Sequence, residues 1–550
     1  MALGNPTICE HRKRLLWLFA LAIGIGLLIV LPLLAAGELD SAINLSKRAS
    51  LGLKSAHAEL ATSRNGQYVA VVWSRGYDTE ANTKEFGHIV LKSADKAIGW
   101  EKQVNVYTAT SSVWGIQPSL TFLSTNDSQL AVTWVECRQR TSGCNKIMLA
   151  VCDVSTYPDA CQPPQLVYED QQASLSTPRI ACDGNGGLHL VWKKGSGGLS
   201  SSWGIWYTRL GSGAAGKIDL TSERSYNPAL AWGNGGATPI GQLHLAWYEY
   251  ADNETDRRIR YLADDSPDDD TWTSADDTRW KAPPGYFLSG GVNELANQPS
   301  LVSSGNYVYL AWAAGNGANQ YVLAYDGASY ADGAWTWQDP TVGNSAGPDC
   351  GAFGDGCGIP DKLIFANNRT YSSPSDLADL FELRPSIAIS GSTPLVVWHF
   401  RDSPEGENLK YMIGYYSSVT ASGYINWVTQ VTITQGLDYD HDGLPEDSTN
   451  PKLAVWPDRQ VHIAHMGMWG GEPESSSDWD VYYRGGVITD TSSLPTPTST
   501  NVPGPTGQPT LQPTPTSTPT PLPPGQPTPT PTPYPYDDPW RDYMPTILRL

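Results

Sequence analysis

Charge, phenylalanine and methionine are scarce in this chain. Asp, Glu, Lys and Arg make up 17% of its 550 residues, below the ~25% usual for globular chains. Basic residues are the shorter side, 36 against 56 acidic, and the net charge is −20. So little is left to neutralise phosphates that nucleic acid is excluded as a partner class. There are 8 Phe and 6 Met, but 21 Trp and 27 Tyr. The aromatic content therefore sits in residues with a polar handle, which suit partly wet surfaces and sugar faces. Helical periodicity is almost missing; Pro374–Leu383 is the best helical candidate and is short. No Cys-x2-Cys pair occurs and no histidine lies at ligand spacing from a cysteine, which argues against zinc. Only one stretch is long and apolar enough to span a bilayer, which excludes a multi-pass membrane protein. An apolar share of 40% supports a packed core.

That one stretch lies at the start. Arg12, Lys13 and Arg14 precede a charge-free run from Leu15 to Ala36, and Ala35, Ala36 and Gly37 lead into Glu38 and Asp40. A positive flank, an apolar middle and small residues at the exit are the parts of a secretory signal. The run is also long enough to remain as a membrane anchor, so residues 1–37 read as signal peptide or signal anchor helix. Either way the rest is exported, secreted or held at the cell surface, and membrane contact is limited to this segment. At the other end, residues 489–537 turn into Pro-Thr-Pro-Thr-Ser-Thr and its variants. Such a tract buries nothing and prefers extended polyproline II. Its ~45 residues from Ser493 to Asp537 would reach about 140 Å as a disordered stalk. Residues 538–550 form a tail whose Tyr543-Met-Pro-Thr-Ile-Leu-Arg549 resembles the terminal sorting tails of exported proteins from filamentous Chloroflexi-type bacteria, departing at Met544 and Thr546. The seven cysteines after the first segment fit an oxidising compartment. Three local pairs, Cys137 with Cys144, Cys152 with Cys161 and Cys350 with Cys357, are the simplest scheme. It leaves Cys182 buried, and cross-pairing among the first five stays open.

Between the ends, residues 56–488 repeat one phrase. A proline, a residue and then Leu or Ile precede a turn and an alternating strand that ends in Trp; a further strand ends near Tyr. The copies start at Gln117-Pro118, Thr177-Pro178, Asn227-Pro228, Gln298-Pro299, Arg384-Pro385 and Asn450-Pro451. Their strand ends are Trp134, Trp192, Trp247, Trp312, Trp398 and His465. A first copy with Val69-Ala-Val-Val-Trp73 lacks the proline. Each copy holds three or four short strands divided by Gly, Asn, Asp and Ser turns. All-strand units of this size with an aromatic at a fixed place predict an all-β fold, a β-propeller of seven blades. Six blades would follow if the first and last copies combined.

Two segments carry a family resemblance. Ser93-Ala-Asp95-Lys-Ala-Ile-Gly-Trp100 and Tyr330-Ala-Asp332-Gly-Ala-Trp-Thr336-Trp337 are similar to the Asp box of sialidase-type BNR-repeat propellers, each without the central glycine. The resemblance implies a hairpin between outer blade strands, with a structural Asp and Trp and no catalytic role. Sialidase chemistry would need three arginines around a carboxylate, an acidic proton donor and a tyrosine activated by a glutamate. Arg179, Arg260 and Arg384 are the available triad, but they occupy different slots, and the early Arg-Ile-Pro signature is missing. No catalytic residue is therefore assigned.

Other candidates are smaller in scope. His189, His244 and His462 share one strand slot, where Ala70, Ala131, Tyr309 and Leu395 stand in other copies; this favours packing over a metal ring. Trp203, Trp206, Trp335, Trp337, Trp469 and Trp479 are surplus to the repeat and would suit a glycan cleft. Asp438-Tyr-Asp440-His-Asp442-Gly443-Leu444-Pro-Glu446 follows the Asp-x-Asp-x-Asp-Gly rule for calcium, with Leu444 offering its carbonyl; Thr449 stands where a full loop has Glu. The expected role is structural, and no organic cofactor is implied. The long insert Gln338–Leu383 is the candidate for ligand contact. The whole reads as an exported binding or display module for a carbohydrate or protein ligand. A sialidase-like exo-glycoside hydrolase and a purely structural surface protein are the alternatives.

Overall fold

A computed structural model describes residues 39–46, 55–76, 87–96, 99–100, 103–110, 113–138, 143–156, 159–196, 203–211, 216–217, 224–233, 241–250, 257–264, 295–315, 321–331, 334–337, 363–367, 384–390, 393–401, 411–420, 425–434, 448–468 and 479–487. Among these there are strands, turns and no helix. The helical candidate 374–383, Cys350 and Cys357 lie outside them. So do the calcium loop residues Asp438, Asp440, Asp442, Leu444 and Glu446, and the segments 1–38 and 488–550.

Each sequence repeat folds into one antiparallel meander. Repeat 3 shows the plan: Ala173–Cys182 pairs with Leu188–Ser196, which pairs with Gly204–Arg209, which pairs with Gly216–Lys217. Repeats 1, 2 and 6 follow it with four or five strands. Repeats 4 and 5 share one sheet through a single parallel bridge, Arg257↔Leu295, so six sheets hold seven repeats. The last sheet borrows its outer strand, Ile43–Asn44, from the start of the chain.

The first strands form a closed layer. They are Ser55–Thr62, Val113–Phe122, Ala173–Cys182, Ser225–Gly233, Leu295–Ser304, Ser386–Ser390 and Ser448–Val455. Each neighbours the first strand of the next repeat, and the seventh neighbours the first. Stacked sheets bury both faces, which removes the distinction between a polar and an apolar side. Leu188, His189, Leu190, Val191 and Trp192 are accordingly all buried. The aromatic that ends each second strand, Trp73, Trp134, Trp192, Trp247, Trp312 and Trp398, is at most 5% exposed, and His465 takes the slot in repeat 7.

The proline phrase marks a bulge in these strands. The residue before the proline has φ between 31° and 55° at Gln117, Thr177, Asn227, Gln298, Arg384 and Asn450, and His57 does the same in repeat 1. Left-handed backbone is uncommon for any non-glycine residue and disfavoured before proline. In all repeats but the sixth, the sheet register shifts at this point. The degenerate first copy is thus regular in shape, with Ala58 in the proline slot. The bulge turns polar side chains onto the next repeat. Gln117 Oε1 accepts from Thr177 N–H at 2.8 Å, and Gln298 Oε1 accepts from Arg384 N–H at 3.1 Å. Two residues on, Ser300 Oγ accepts from Ile387 N–H and Ser386 Oγ from Leu453 N–H, both at 3.0 Å. Backbone donors freed by the bulge are therefore satisfied across the repeat boundary.

Two of the expected disulfides are present, Cys137–Cys144 and Cys152–Cys161, and Cys182 is free and buried. Both hairpins that resemble Asp boxes join a third strand to a fourth, with Ala94↔Trp100 and Tyr330↔Trp335 in register. Asp95 accepts from Gln67 Nε2 at 3.1 Å, and Trp100 meets Tyr483 edge-on at 4.6 Å. Gln117→Ala removes the acceptor of a buried amide. It is expected to lower unfolding free energy by about 1–3 kcal/mol in denaturant titration, while Gln117→Glu keeps an acceptor and loses less. Equal losses in the two variants, one of which keeps the acceptor, would contradict the role of Gln117 as a cap.

Candidate functional site

The position two after each bulge residue differs in chemistry from repeat to repeat. These positions hold Glu59, Ser119, Arg179, Ala229, Ser300, Ser386 and Lys452. Glu59 Oε1 meets Arg179 Nη1 at 3.1 Å and Lys452 Nζ at 2.9 Å. Glu59 belongs to repeat 1, Arg179 to repeat 3 and Lys452 to repeat 7. Its contact with repeat 3 passes over repeat 2, which requires the side chains to converge from different sides on one interior space. Arg384, whose Nη1 donates to Asn450 Oδ1, and His57 complete the cluster.

Two cationic side chains here pair with one carboxylate, and Arg384 adds a third positive charge near His57 and Lys452. Burial pushes the Glu59 carboxyl up, but the Lys452 and Arg179 charges and the Lys452 bond outweigh it and hold it below the ordinary range. Lys452 is held below the lysine range, first by burial, with repulsion from Arg179 and Arg384 added to it; Glu59 offsets this only in part. His57 is lowered to about 3 by burial, then by Arg384, and stays neutral. Glu59, Arg179 and Lys452 side chains keep 18%, 26% and 27% exposure, so the cluster is reachable. A cation excess at the centre of a chain of net charge −20 favours an anionic group. Nearer the turns that end the first strands lies a separate lining of residues around a cavity of about 320 Å³. Small residues Ala61, Thr121, Ala181 and Ala231 line it, with Leu120 and Trp232.

The three arginines proposed from sequence do not form a triad. Arg179 and Arg384 both reach the cluster. Arg260 lies on the third strand of repeat 4, opposite Trp247, and is ion-paired with the fully buried Glu249. Glu59 was missed because the first copy lacks the proline that would align it, and Lys452, which follows Pro451, because the repeat does not show that the two meet. A Tyr–Glu pair does exist: Tyr107 O–H donates to Glu136 Oε2 at 3.2 Å. It sits on the fifth strand of repeat 1 and the second of repeat 2, with Lys146 Nζ 3.0 Å from Glu136 Oε1. Burial, and then the Glu136 charge, push the Tyr107 phenol up, which opposes activation as a nucleophile.

The histidine slot is structural. His189, His244 and His462 are buried, and each Nδ1 pairs with a tyrosine hydroxyl of the next strand: Tyr207 at 2.8 Å, Tyr261 at 2.6 Å and Tyr483 at 2.7 Å. His189 Nε2 lies 3.1 Å from Asp183 Oδ2, so this nitrogen donates to the carboxylate. Asp183 also accepts from the turn amides of Asn185 and Gly187, at 2.7 and 2.8 Å. Among the described residues no group of three or more His, Cys, Asp or Glu is placed to hold a metal ion.

Two of the surplus tryptophans are engaged by lysines. Lys194 Nζ lies 3.6 Å from the Trp206 ring centre, 2.6 Å from the Tyr168 hydroxyl and 2.8 Å from Asp170. Lys193 is buried, 4.2 Å from the Trp203 ring centre and 4.1 Å from that of Tyr226. These cation–π contacts join repeat 3 to both neighbours, and each occupies a ring face that a sugar would need. The side chains of Trp335, Trp337, Trp469 and Trp479 lie outside the described part.

No protein-family model and no curated protein matches the sequence. Among solved structures, the chain is similar to a protein of unknown function from Dyadobacter fermentans, at 10% identity over 82% of this chain and all of that one, TM-score 0.41. It is similar to a Trypanosoma rangeli sialidase mutant with trans-sialidase activity, at 9% identity over 82% of this chain and 60% of that one, TM-score 0.40. A third is the GH93 α-L-arabinofuranosidase of Fusarium graminearum, at 10% identity over 82% and 98%, TM-score 0.38.

Burial lowers His244 to about 3 and His462 to about 4, from 6.5. In that interval the unfolded chain binds more protons, so stability falls as pH falls from about 6.5. Each histidine adds a slope of up to ~1.4 kcal/mol per pH unit. Glu59, with its lowered carboxyl, acts in the same direction at more acid pH, losing its contribution as pH falls through its folded value. Denaturant titrations from pH 7 to 4.5 are expected to show this fall, with a shallower slope in His244→Gln. An unchanged slope in that variant would contradict the assignment of His244 as a neutral buried group.

Proposed function

We propose that this chain is an exported, surface-displayed binding module. Its seven repeats form a seven-bladed propeller of the sialidase type, and its ligand presents an anionic group to the interior cluster of Arg179, Arg384 and Lys452. The grouping of Arg179, Lys452 and Arg384 with a single carboxylate, Glu59, which pairs with the first two, carries this reading. The ligand class is a glycan or protein with an exposed carboxylate or equivalent anion. Two disulfides agree with an oxidising compartment. Residues 1–37 act as signal or anchor, 489–537 as stalk and 538–550 as sorting tail.

Hydrolysis of a sialidase kind is disfavoured by the chemistry of the cluster. Glu59 is held as an anion between two cations, which is the wrong state for a proton donor. The Tyr107–Glu136 pair sits on other strands, with its phenol harder to ionise than usual. The test is an acidic-glycan array run beside turnover of a fluorogenic sialoside. Binding without turnover, weakened at least tenfold in Arg179→Gln and Lys452→Ala with unchanged circular dichroism, is expected. Turnover that vanishes in Arg179→Gln or Arg384→Gln would overturn a binding-only role.

A structural calcium in the Asp438–Glu446 loop belongs to the same reading. Three carboxylates at alternate positions before Gly443 are a hard-oxygen donor set suited to it. Chelator is expected to lower the melting temperature of the parent protein and not that of Asp440→Ala. A parent protein indifferent to chelator removes the metal from the account.

A further inference from the structure

The start of the chain is pinned along the last sheet. Ile43 and Asn44 pair antiparallel with Tyr483 and Tyr482, and Leu39 bridges Gly486. Asp40 N–H donates to Gly485 O at 2.7 Å and Leu45 N–H to Val481 O at 2.8 Å. Ser46 Oγ donates to Asp480 Oδ1 at 2.7 Å and accepts from Val481 N–H at 3.1 Å; Asn44 Nδ2 donates to Asp480 Oδ2 at 2.9 Å. Leu45 is 1% exposed, in one cluster with Val69, Val71 and Trp73 of repeat 1 and Met466 of repeat 7. The Arg484 guanidinium donates to the carbonyls of Leu39, Asp40 and Ile433.

This register fixes where the chain enters and leaves. Leu39 is opposite Gly486, and the next residue, Val487, pairs with Gln460. Gln460 follows the turn from Trp456, and that turn packs on its counterpart in repeat 1: Trp456 Nε1 donates to Tyr68 O at 3.3 Å, and Lys96 is ion-paired with Asp458. Entry and exit therefore share the end of the layer where first strands turn into second strands. The charge-free run stops at Ala36, three steps before Leu39, at most about 11 Å of extended chain. The Pro/Thr tract begins within a few residues of Val487.

We propose that the fold is mounted by one corner. The apolar run and the stalk meet the domain at adjacent strands of its turn end, so the turn end faces the lipid surface and the opposite end, towards which the bulges lie from Glu59, faces outward. This rests on the reading of residues 15–36 as an export segment that inserts in lipid. Any cleavage after Ala36 would leave the stalk at the same corner.

The test uses the full chain with Cys9→Ser, reconstituted in phosphatidylcholine vesicles that carry spin-labelled headgroups. One variant places a fluorophore on the exposed turn-end position Arg64→Cys. The other uses Gln172→Cys, exposed and next to the start of strand Ala173–Cys182. Quenching about threefold stronger at position 64 than at 172 is expected; equal or reversed quenching overturns the orientation. A separate spin-label pair at Gly37→Cys and Thr489→Cys, measured in detergent, tests the corner alone. Chain reach from the Leu39–Gly486 bridge predicts a separation under about 25 Å. A longer separation refutes the shared corner. A short separation in a chain that does not bind vesicles refutes the anchor reading and, with it, the membrane orientation.

Discussion

A sheet of three or four short strands cannot hide both of its faces by itself. Every repeat here needs a neighbour on each side, and the first needs the last. That mutual dependence is met at the first-strand layer, where each strand departs from regular pairing at one residue. The bulge has a cost, since seven non-glycine residues sit in left-handed backbone. Its return is directional: Gln117 and Gln298 accept from the bulge amide of the following repeat, and Ser300 and Ser386 accept from an amide of the following strand. Buried amides left without such acceptors would each cost about as much as a lost hydrogen bond.

The same positions that close the layer also concentrate its charge. In two of the three repeats that carry serine, the hydroxyl caps a neighbour. Where Glu59, Arg179 and Lys452 stand, the partners meet across the interior instead. Ion pairs in partly buried surroundings gain little net stability once desolvation is counted. The strap Leu39–Ser46 closes the same seam from outside, with Leu45 filling the space between the first and last repeats.

Much of the fold was legible because the repeat is strict where packing is strict. The strand-end tryptophans are buried as their alternation implied, the histidine slot is packed, and Cys137–Cys144, Cys152–Cys161 and the free Cys182 follow from spacing in an oxidising compartment. The bulge was written in the sequence as a polar residue before each proline, but left-handed backbone before proline runs against local preference, so no local rule announces it. Glu59 and Lys452 were hidden for another reason. Their meeting depends on which repeats face each other across the interior, and a linear pattern carries no such information. Arg260 shows the reverse error: an arginine at a plausible spacing belongs to a third strand and to Glu249. The tryptophans Trp203 and Trp206 likewise read as sugar platforms from composition, while Lys193 and Lys194, invisible to that argument, occupy their faces.

The central claim is that repeat 7 closes onto repeat 1 through the interior layer. A double-mutant cycle between Glu59→Gln and Lys452→Met, read as unfolding free energy in denaturant titration, addresses it directly. These residues are 393 positions apart in sequence and 2.9 Å apart in the fold. Closure predicts a coupling of about 1 kcal/mol or more. Losses that add within about 0.3 kcal/mol would place the two residues in separate surroundings and contradict the account.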